Sequence, residues 1–186
     1  MLKSELRKIY KAKRLALSSK DKSTKEKHII SSLLTNFDFS NSSVHVFLPI
    51  EKLKEIDTFP ILRSLFDLKC RVFTSIINSI DKMDSIELFN DTKFEFDKWG
   101  IPVPENCKEL YKGSFETILV PLLYCDSNGN RIGYGKGYYD RFLKQHPKSN
   151  FIGLNYFDPD TDIEDVEQFD VKLTQLVSPN NVYRFK

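Results

Sequence analysis

The sequence has few cysteines and almost no net charge, and each of these absences excludes a class of protein. Only three cysteines occur among 186 residues, Cys70, Cys107 and Cys125, without a disulfide framework or the spacing of a zinc site. Lys and Arg number 28 against 26 Asp and Glu, so a net charge of +2 gives no general attraction to nucleic acid. Any anion-binding site must therefore be local.

Long apolar segments are also missing from the chain. No apolar run approaches the length of about 20 residues that a membrane helix needs. The charged N-terminus, with Lys3 and Arg7, lacks the apolar segment of a signal peptide. We therefore expect a cytoplasmic protein with no membrane and no nucleic-acid partner. With 40% hydrophobic residues, the chain has enough apolar side chains for a core of its own.

Helical and extended patterns alternate along the chain. Apolar spacing predicts helices at about 2–17, 20–37, 58–68 and 137–145. Short β-rich runs predict strands at 44–48, 70–75, 86–89, 117–121, 151–154 and 175–178. Around 99–104, Pro102 and Pro104 exclude a helix, and we expect irregular structure. The alternation predicts an α/β protein: a single three-layer α/β/α domain over residues 1–186 with a mostly parallel central sheet. We expect it to work as a monomer.

Glycine is scarce, and its distribution singles out one segment. Three of the seven glycines, Gly133, Gly135 and Gly137, occupy alternate positions between Arg131 and Arg141. Glycine lets a backbone approach a ligand closely and expose successive N–H groups. A predicted helix begins just after them, where free N–H groups attract phosphate, and Lys136 and Arg131 add positive charge. The segment therefore predicts a site for a phosphate-like anion.

This glycine pattern matches neither common nucleotide-binding motif. A Walker A loop would place Ser or Thr after the lysine, whereas Gly137 follows Lys136. A dinucleotide fingerprint would need GxGxxG spacing, and the spacing here is GxGxG. Glycines alone are as consistent with a flexible turn bearing solvated cations as with a binding loop. The whole string, ending in two tyrosines, an acid and a base, is far more specific.

The segment Arg131–Arg141 resembles the signature of the 5-formyltetrahydrofolate cyclo-ligase family, the methenyltetrahydrofolate synthetases. The resemblance implies the ATP-dependent conversion of 5-formyltetrahydrofolate to 5,10-methenyltetrahydrofolate, with Mg²⁺ as cofactor. It implies Lys136 and Arg131 as catalytic residues and Asp140 as a metal ligand. It implies ATP contacts by Lys3, Arg7, Arg131, Gly133, Gly135, Lys136, Gly137, Tyr138 and Tyr139. It implies substrate contacts by Leu48, Glu55, Tyr134, Gly135, Lys136, Gly137 and Tyr138.

Other segments extend the resemblance from Lys3 to Thr174. Lys3 and Arg7 are spaced to lie on one helix face, although a solvated basic face has the same pattern. Glu55 resembles the family's pterin-binding acid, and Glu51 is a nearby alternative. Trp99 resembles an aromatic residue that could flank the pterin. Asp170 resembles a second acid linked to Mg²⁺, although Thr174 stands where many members have another acid.

Three other functions remain open at the level of the sequence. The same fold is shared with sugar-phosphate isomerases and CoA-transferase-like proteins, and a fold does not fix a function. A non-catalytic folate- or nucleotide-binding protein of the same fold would keep the motif without turnover. An RNA-binding module would use the basic first helix, but the balanced charge argues against it.

Overall fold

The computed structural model describes residues 1–79, 82–97, 100–105 and 109–185. The helices in this part of the chain are α1 (Lys3–Leu15), α2 (Ser19–Asn36), α3 (Phe59–Asp67) and α4 (Tyr138–Lys144), with a 3₁₀ turn at Glu51–Leu53. The strands are β1 (Ser43–His45), β2 (Arg71–Ser79), β3 (Lys82–Leu88), β4 (Phe94–Phe96), β5 (Pro102–Pro104), β6 (Leu110–Tyr111), β7 (Thr117–Pro121), β8 (Tyr124–Cys125), β9 (Arg131–Ile132), β10 (Asn150–Leu154), β11 (Gln175–Val177) and β12 (Val182–Arg184). Trp99 lies outside the described residues.

Most of the strands form one mixed sheet. Among the described residues, eight strands pair in the order β12-β11-β10-β7-β1-β2-β3-β6. The five central strands from β11 to β2 are parallel, and antiparallel strands close both edges. The predicted βαβ unit is present, since α3 connects β1 to the adjacent parallel strand β2. The expectation of a mostly parallel central sheet is confirmed.

Alternating side chains place a core on each face of the sheet. Along β7, Leu119 packs on one side with α2 and α3, whose buried residues include Leu33 and Ile61. The neighbours Ile118 and Val120 point the other way and pack with α4. Since successive residues of a strand face opposite sides, an apolar run of this kind requires cover on both faces. The three-layer arrangement follows from that requirement.

The first helix packs across one end of the sheet rather than on a face. Leu6 and Tyr10 of α1 are buried against Tyr124 and Ile132, in the hairpin of β8 and β9. The rings of Tyr10 and Tyr124 are stacked with centroids 4.1 Å apart. This hairpin leads directly into the glycine-rich segment, so α1 and that segment are neighbours.

The proline segment differs from the sequence expectation. Pro102–Pro104 forms β5 and pairs with β4 in a separate two-stranded sheet, where we expected irregular structure. Proline lacks a backbone N–H and is tolerated on an edge strand, where that donor is not needed. The two prolines therefore excluded a helix, as expected, but not a strand.

Candidate functional site

A narrow cavity lies where three neighbouring parallel strands end. Its walls come from the residues that follow β1, β7 and β10, among them Phe47, Leu122 and Asn155. These strands are adjacent in the sheet, so their carboxyl ends meet at one place. Ligands of parallel α/β sheets gather at this edge. The cavity is therefore the first candidate for a binding site.

Glu55 lies in this cavity as a buried acid. Only 4% of the residue is exposed, and its carboxylate accepts hydrogen bonds from Ile50 N at 2.7 Å and from the Tyr134 hydroxyl at 2.7 Å. Burial raises the pKa of Glu55, although these two hydrogen bonds and the charge of Arg14 oppose the shift. Glu51, the alternative from the sequence, is exposed in the 3₁₀ turn. The structure therefore places Glu55, and not Glu51, in the cavity.

Arg14 of α1 completes a chain of polar contacts that the sequence analysis did not anticipate. Its guanidinium donates to the Tyr134 hydroxyl and to the carbonyl of Leu122 at 3.3 Å, and the residue is 4% exposed. Arg14, Tyr134 and Glu55 thus form a continuous relay along the cavity. A signal was present, because Arg7 and Arg14 are seven residues apart and so share a face of α1.

The glycine-rich loop, residues 133–137, presents open backbone N–H groups. In the described part of the chain, no protein acceptor receives the backbone N–H of any residue from Gly133 to Asp140. Gly135 and Gly137 adopt φ values of 87° and 66°, a region that side chains with a Cβ rarely occupy. The side chain of Lys136 is exposed at the tip of the loop. The loop therefore has the features of an anion cradle.

Arg7 binds the same loop from α1. Its Nε donates to the carbonyl of Gly133 at 3.0 Å. A Cβ added to Gly135 would lie 3.4 Å from the Arg7 guanidinium, so the glycine permits this close approach. Arg7, which was predicted to contact ATP, thus contacts the glycine-rich loop directly.

Arg131 and Asp140, two predicted site residues at the ends of the loop, bind each other. Arg131 Nη2 lies 2.9 Å from Asp140 Oδ1, and its Nη1 donates to the carbonyl of Val171. Asp140 Oδ1 also accepts from Val171 N at 3.1 Å. The Arg131 side chain is 5% exposed, so it fastens the loop to the segment near Val171.

Lys3 and Asp170 form a second pair of predicted site residues. Lys3 Nζ lies 2.5 Å from Asp170 Oδ2 and 3.2 Å from Glu167 Oε2. Asp170 Oδ2 also accepts from Glu167 N at 2.7 Å. Both predicted metal ligands are thus already bound to predicted ATP-binding cations.

The remaining predicted site residues lie around the cavity and the glycine-rich loop. Leu48 is buried just beyond β1. The Tyr138 ring lies beneath the guanidinium of Arg141, 5.3 Å from its carbon, at the start of α4. Tyr139 packs its ring against the core, edge-on to Phe142. The structure therefore brings most predicted residues to one end of the sheet, with Tyr139 turned inward.

No cluster of three or more His, Cys, Asp or Glu side chains suitable for a metal occurs among the described residues. Each predicted metal ligand nevertheless has one carboxylate oxygen that accepts no hydrogen bond from the described residues. These oxygens are Asp140 Oδ2 and Asp170 Oδ1. Magnesium often binds through one or two carboxylates together with phosphate oxygens and water. The donor set therefore fits Mg²⁺ that arrives with a polyphosphate. It does not fit a metal ion held by the protein alone.

Comparison with known proteins identifies close similarities over most of the chain. The model of the 5-formyltetrahydrofolate cyclo-ligase family matches residues 1–179. The 5-formyltetrahydrofolate cyclo-ligase of Mycoplasma genitalium is 30% identical over 160 residues, which cover 83% of this chain and 84% of that protein. The enzyme of the same name from Escherichia coli K12 is 26% identical over 149 residues, covering 77% and 81%.

Solved structures show the same similarity. A 5,10-methenyltetrahydrofolate synthetase from Aquifex aeolicus superposes with a TM-score of 0.75 at 26% identity, covering 100% of this chain and 94% of that one. The synthetase from Mycoplasma pneumoniae gives a TM-score of 0.77 at 22% identity, covering 96% and 99%, which supports the fold. In addition, none of the helices in the described residues is long and apolar enough to cross a membrane.

Proposed function

The chain belongs to the 5-formyltetrahydrofolate cyclo-ligase family, and we propose that it converts 5-formyltetrahydrofolate and ATP to 5,10-methenyltetrahydrofolate, ADP and phosphate. The observation that carries this proposal is the pairing of two unlike sites at one end of the sheet. One is a loop with open backbone N–H groups and a free lysine, and the other is a cavity with a buried acid. The first suits a polyphosphate, and the second suits a polar ring.

The reaction needs activation of a poor leaving group. The formyl oxygen of the substrate attacks the γ-phosphorus of ATP, and the bond from phosphorus to the ADP oxygen breaks. The formyl carbon is then an iminium phosphate, which the neighbouring amine nitrogen attacks with loss of its proton. The carbon–oxygen bond breaks, and phosphate leaves with the original formyl oxygen. No protein nucleophile is required, so the protein acts by alignment and charge neutralisation.

The loop and α1 supply the groups that this chemistry requires at the phosphates. Lys136 is the cation free to approach the transferring phosphoryl group, and the N–H groups of the loop bind phosphate oxygens. Arg7 holds the loop and faces the same side. Arg131 acts from its ion pair with Asp140, keeping the loop in place while adding positive charge.

Mg²⁺ would enter with ATP and be held by the unpartnered oxygen of Asp140, with Asp170 as the second acid. It would neutralise charge on the phosphates as they react. Lys3 holds Asp170 in place and remains available to the polyphosphate. The ion pair between Lys3 and Asp170 supports this proposal, since it holds a cation and a carboxylate side by side for a charged ligand.

The cavity, with a volume of about 10 Å³, has room for a single oxygen atom of the substrate, so the pterin ring would bind at its mouth with one edge toward Glu55. Glu55 accepts N–H groups from the aminopyrimidinone edge, because each of its oxygens has a lone pair beyond the bond that it already accepts. Tyr134 donates a hydrogen bond to the acid, and Leu48 is buried just beyond β1. We also propose that the protein acts as a monomer in the cytoplasm; the buried thiols of Cys70 and Cys125, which form no disulfide within the described residues, support a reducing location.

The test is a direct assay of the purified protein. It is mixed with 5-formyltetrahydrofolate, ATP and Mg²⁺, while the absorbance of the methenyl product and the release of ADP are followed together. We expect both to appear in equal amounts, and neither to appear when ATP is omitted. Folded protein that binds both ligands without product would indicate a non-catalytic binder and would overturn the proposal.

A further inference from the structure

Two buried nitrogen atoms without hydrogen-bond partners belong to residues that line the same cavity. Arg14 Nε and Asn155 Nδ2 find no acceptor among the described residues. Both residues line the cavity that contains Glu55, and they are 4% and 2% exposed. Most buried polar atoms in proteins are satisfied, because an unsatisfied donor destabilises the fold. The cavity has a volume of about 10 Å³, which is room for a single water or carbonyl oxygen, so these two donors indicate an oxygen acceptor at this place.

The other contacts of Arg14 leave its Nε atom without a hydrogen-bond partner among the described residues. Its Nη1 and Nη2 are used by Leu122 O and the Tyr134 hydroxyl, and it forms no ion pair with a carboxylate in the described chain. A buried guanidinium is normally paired with an acid. Here the nearest acid in the network, Glu55, is reached only through Tyr134. The geometry holds Arg14 rigidly and leaves Nε without a role in the fold.

Asn155 is placed by the sheet. It follows the last residue of β10, and its backbone N–H donates to Val177 O at 3.1 Å. This bond fixes the backbone, so the side-chain amide is directed by the strand and not by a flexible loop. Its Nδ2 is not needed to hold β10 in the sheet.

We propose that Arg14 and Asn155 together donate to a carbonyl oxygen on the same ring edge whose N–H groups Glu55 accepts. The three side chains would then recognise an edge with two donors followed by one acceptor, which is the hydrogen-bonding pattern of a 2-amino-4-oxopyrimidine. The inference rests on the proposed function for the identity of the ring. It adds two specificity-determining residues, and it assigns the carbonyl group as the feature that they select.

The experiment compares two ligands in two proteins. The ligands are 5-formyltetrahydrofolate and its analogue with an amino group in place of the ring carbonyl. Their affinities for the wild-type protein and for Asn155→Ala are measured by calorimetry, which does not depend on turnover. We expect the wild type to prefer the oxo ligand, and Asn155→Ala to weaken the binding of that ligand about tenfold, as for one lost hydrogen bond. Binding of the amino analogue should change little, so the preference should shrink.

A second variant tests the direction of the hydrogen bond. Asn155→Asp replaces the donor by an acceptor, so it should favour the amino analogue over the oxo ligand. Asn150→Ala, at the exposed start of the same strand, is the control and should leave both affinities unchanged. Arg14→Lys keeps a cation but removes Nε together with the Nη contacts to Leu122 and Tyr134; it should weaken both ligands through the lost contacts and reduce the oxo preference in addition.

The outcomes separate the two proposals. Equal weakening of both ligands by Asn155→Ala would mean a merely structural role and would overturn the inference. An unchanged preference, as expected if water fills the cavity, would also overturn it. If any variant fails to fold, as judged by its melting temperature, the remaining ones still decide. Wild-type protein that shows this preference but no turnover with ATP would contradict the proposed function and leave the inference standing.

Discussion

The glycine-rich loop and the cavity at the strand ends lie side by side but are prepared for their ligands in opposite ways. The loop offers backbone N–H groups that are open, while the cations at its margins are already bound to acids. The cavity offers buried side chains, fixed by Arg14, Tyr134 and Glu55. A backbone cradle suits phosphate, whose charge is spread over several oxygens. A buried relay suits a ring with a fixed order of donors and acceptors.

The largest effect should follow from removing the free cation of the loop. Lys136→Ala should lower kcat by about 10²–10³, as for a lost electrostatic donor, because it removes charge that stabilises the phosphoryl group in the transition state. Lys136 is exposed, so the melting temperature should not change. The control is Lys148→Ala, another exposed lysine outside the loop. Full turnover by Lys136→Ala would remove the loop from the chemistry.

The next largest effect should come from breaking the relay of the cavity. Tyr134→Phe leaves Glu55 Oε1 and one nitrogen of Arg14 without partners, which should cost about 1–3 kcal/mol of stability per buried group. The KM for the folate should rise about tenfold or more, and the KM for ATP much less. Tyr111→Phe, which removes a hydroxyl that donates to Ser114 O on the edge strand β6, is the matched control. A larger change in the ATP KM would mean that Tyr134 serves the loop instead.

A smaller effect should follow from placing a methyl group in the glycine-rich loop, where we expect the phosphates to bind. A Cβ at Gly133 would meet no atom within 4 Å, so Gly133→Ala should fold normally. If phosphate occupies that space, the KM for ATP should still rise, by about tenfold for the loss of one hydrogen bond. Gly137→Ala is the contrast, because its φ of 66° and a contact of 2.9 Å with Arg141 should also lower the melting temperature. An unchanged ATP KM in Gly133→Ala would place the phosphates elsewhere.

The smallest effect concerns pH and is confined to the cavity. Burial raises the pKa of Glu55 above its ordinary 4.5, and the ionised form is the better acceptor of ring N–H groups. Folate affinity should therefore weaken as pH falls through the raised pKa, by no more than about tenfold per pH unit. Stability has the opposite sign, since a raised pKa contributes stability below 4.5 that is lost as pH rises through the folded value. Titration calorimetry of Glu55→Gln should show a flat profile over the same range.

The loop could be predicted from the sequence because its signal is local. Three glycines at alternate positions and the charges around them are all within eleven residues. The parallel strands and helices could be predicted for the same reason, since their apolar periods are short. The antiparallel edges could be predicted less well. The strand expected at 86–89 overlaps β3, but β6, β12 and the antiparallel pairing are defined by their partners and not by composition.

Only some of the residues that form the cavity could be predicted from the sequence. Glu55 was expected from a resemblance, but Arg14 and Asn155 become informative only when the fold places them together, 141 positions apart in the chain. An arginine on a basic helix has the same pattern as a solvated one, and the seven-residue spacing from Arg7 marks a shared helix face but not burial. Likewise, the ion pairs of Lys3 with Asp170 and of Arg131 with Asp140 depend on tertiary contacts. The sequence suggested these residues as ligands of ATP and Mg²⁺, but it could not show that they bind each other.

The contact between Lys3 and Asp170 has a consequence for how the protein is made. The two residues are separated by 167 positions, so the first helix leaves the ribosome long before its partner exists. Contacts of such sequence separation form late in folding. The nascent chain must therefore carry α1 unanchored through most of its synthesis. The contact of α1 with Asp170 can form only after residue 170 has emerged.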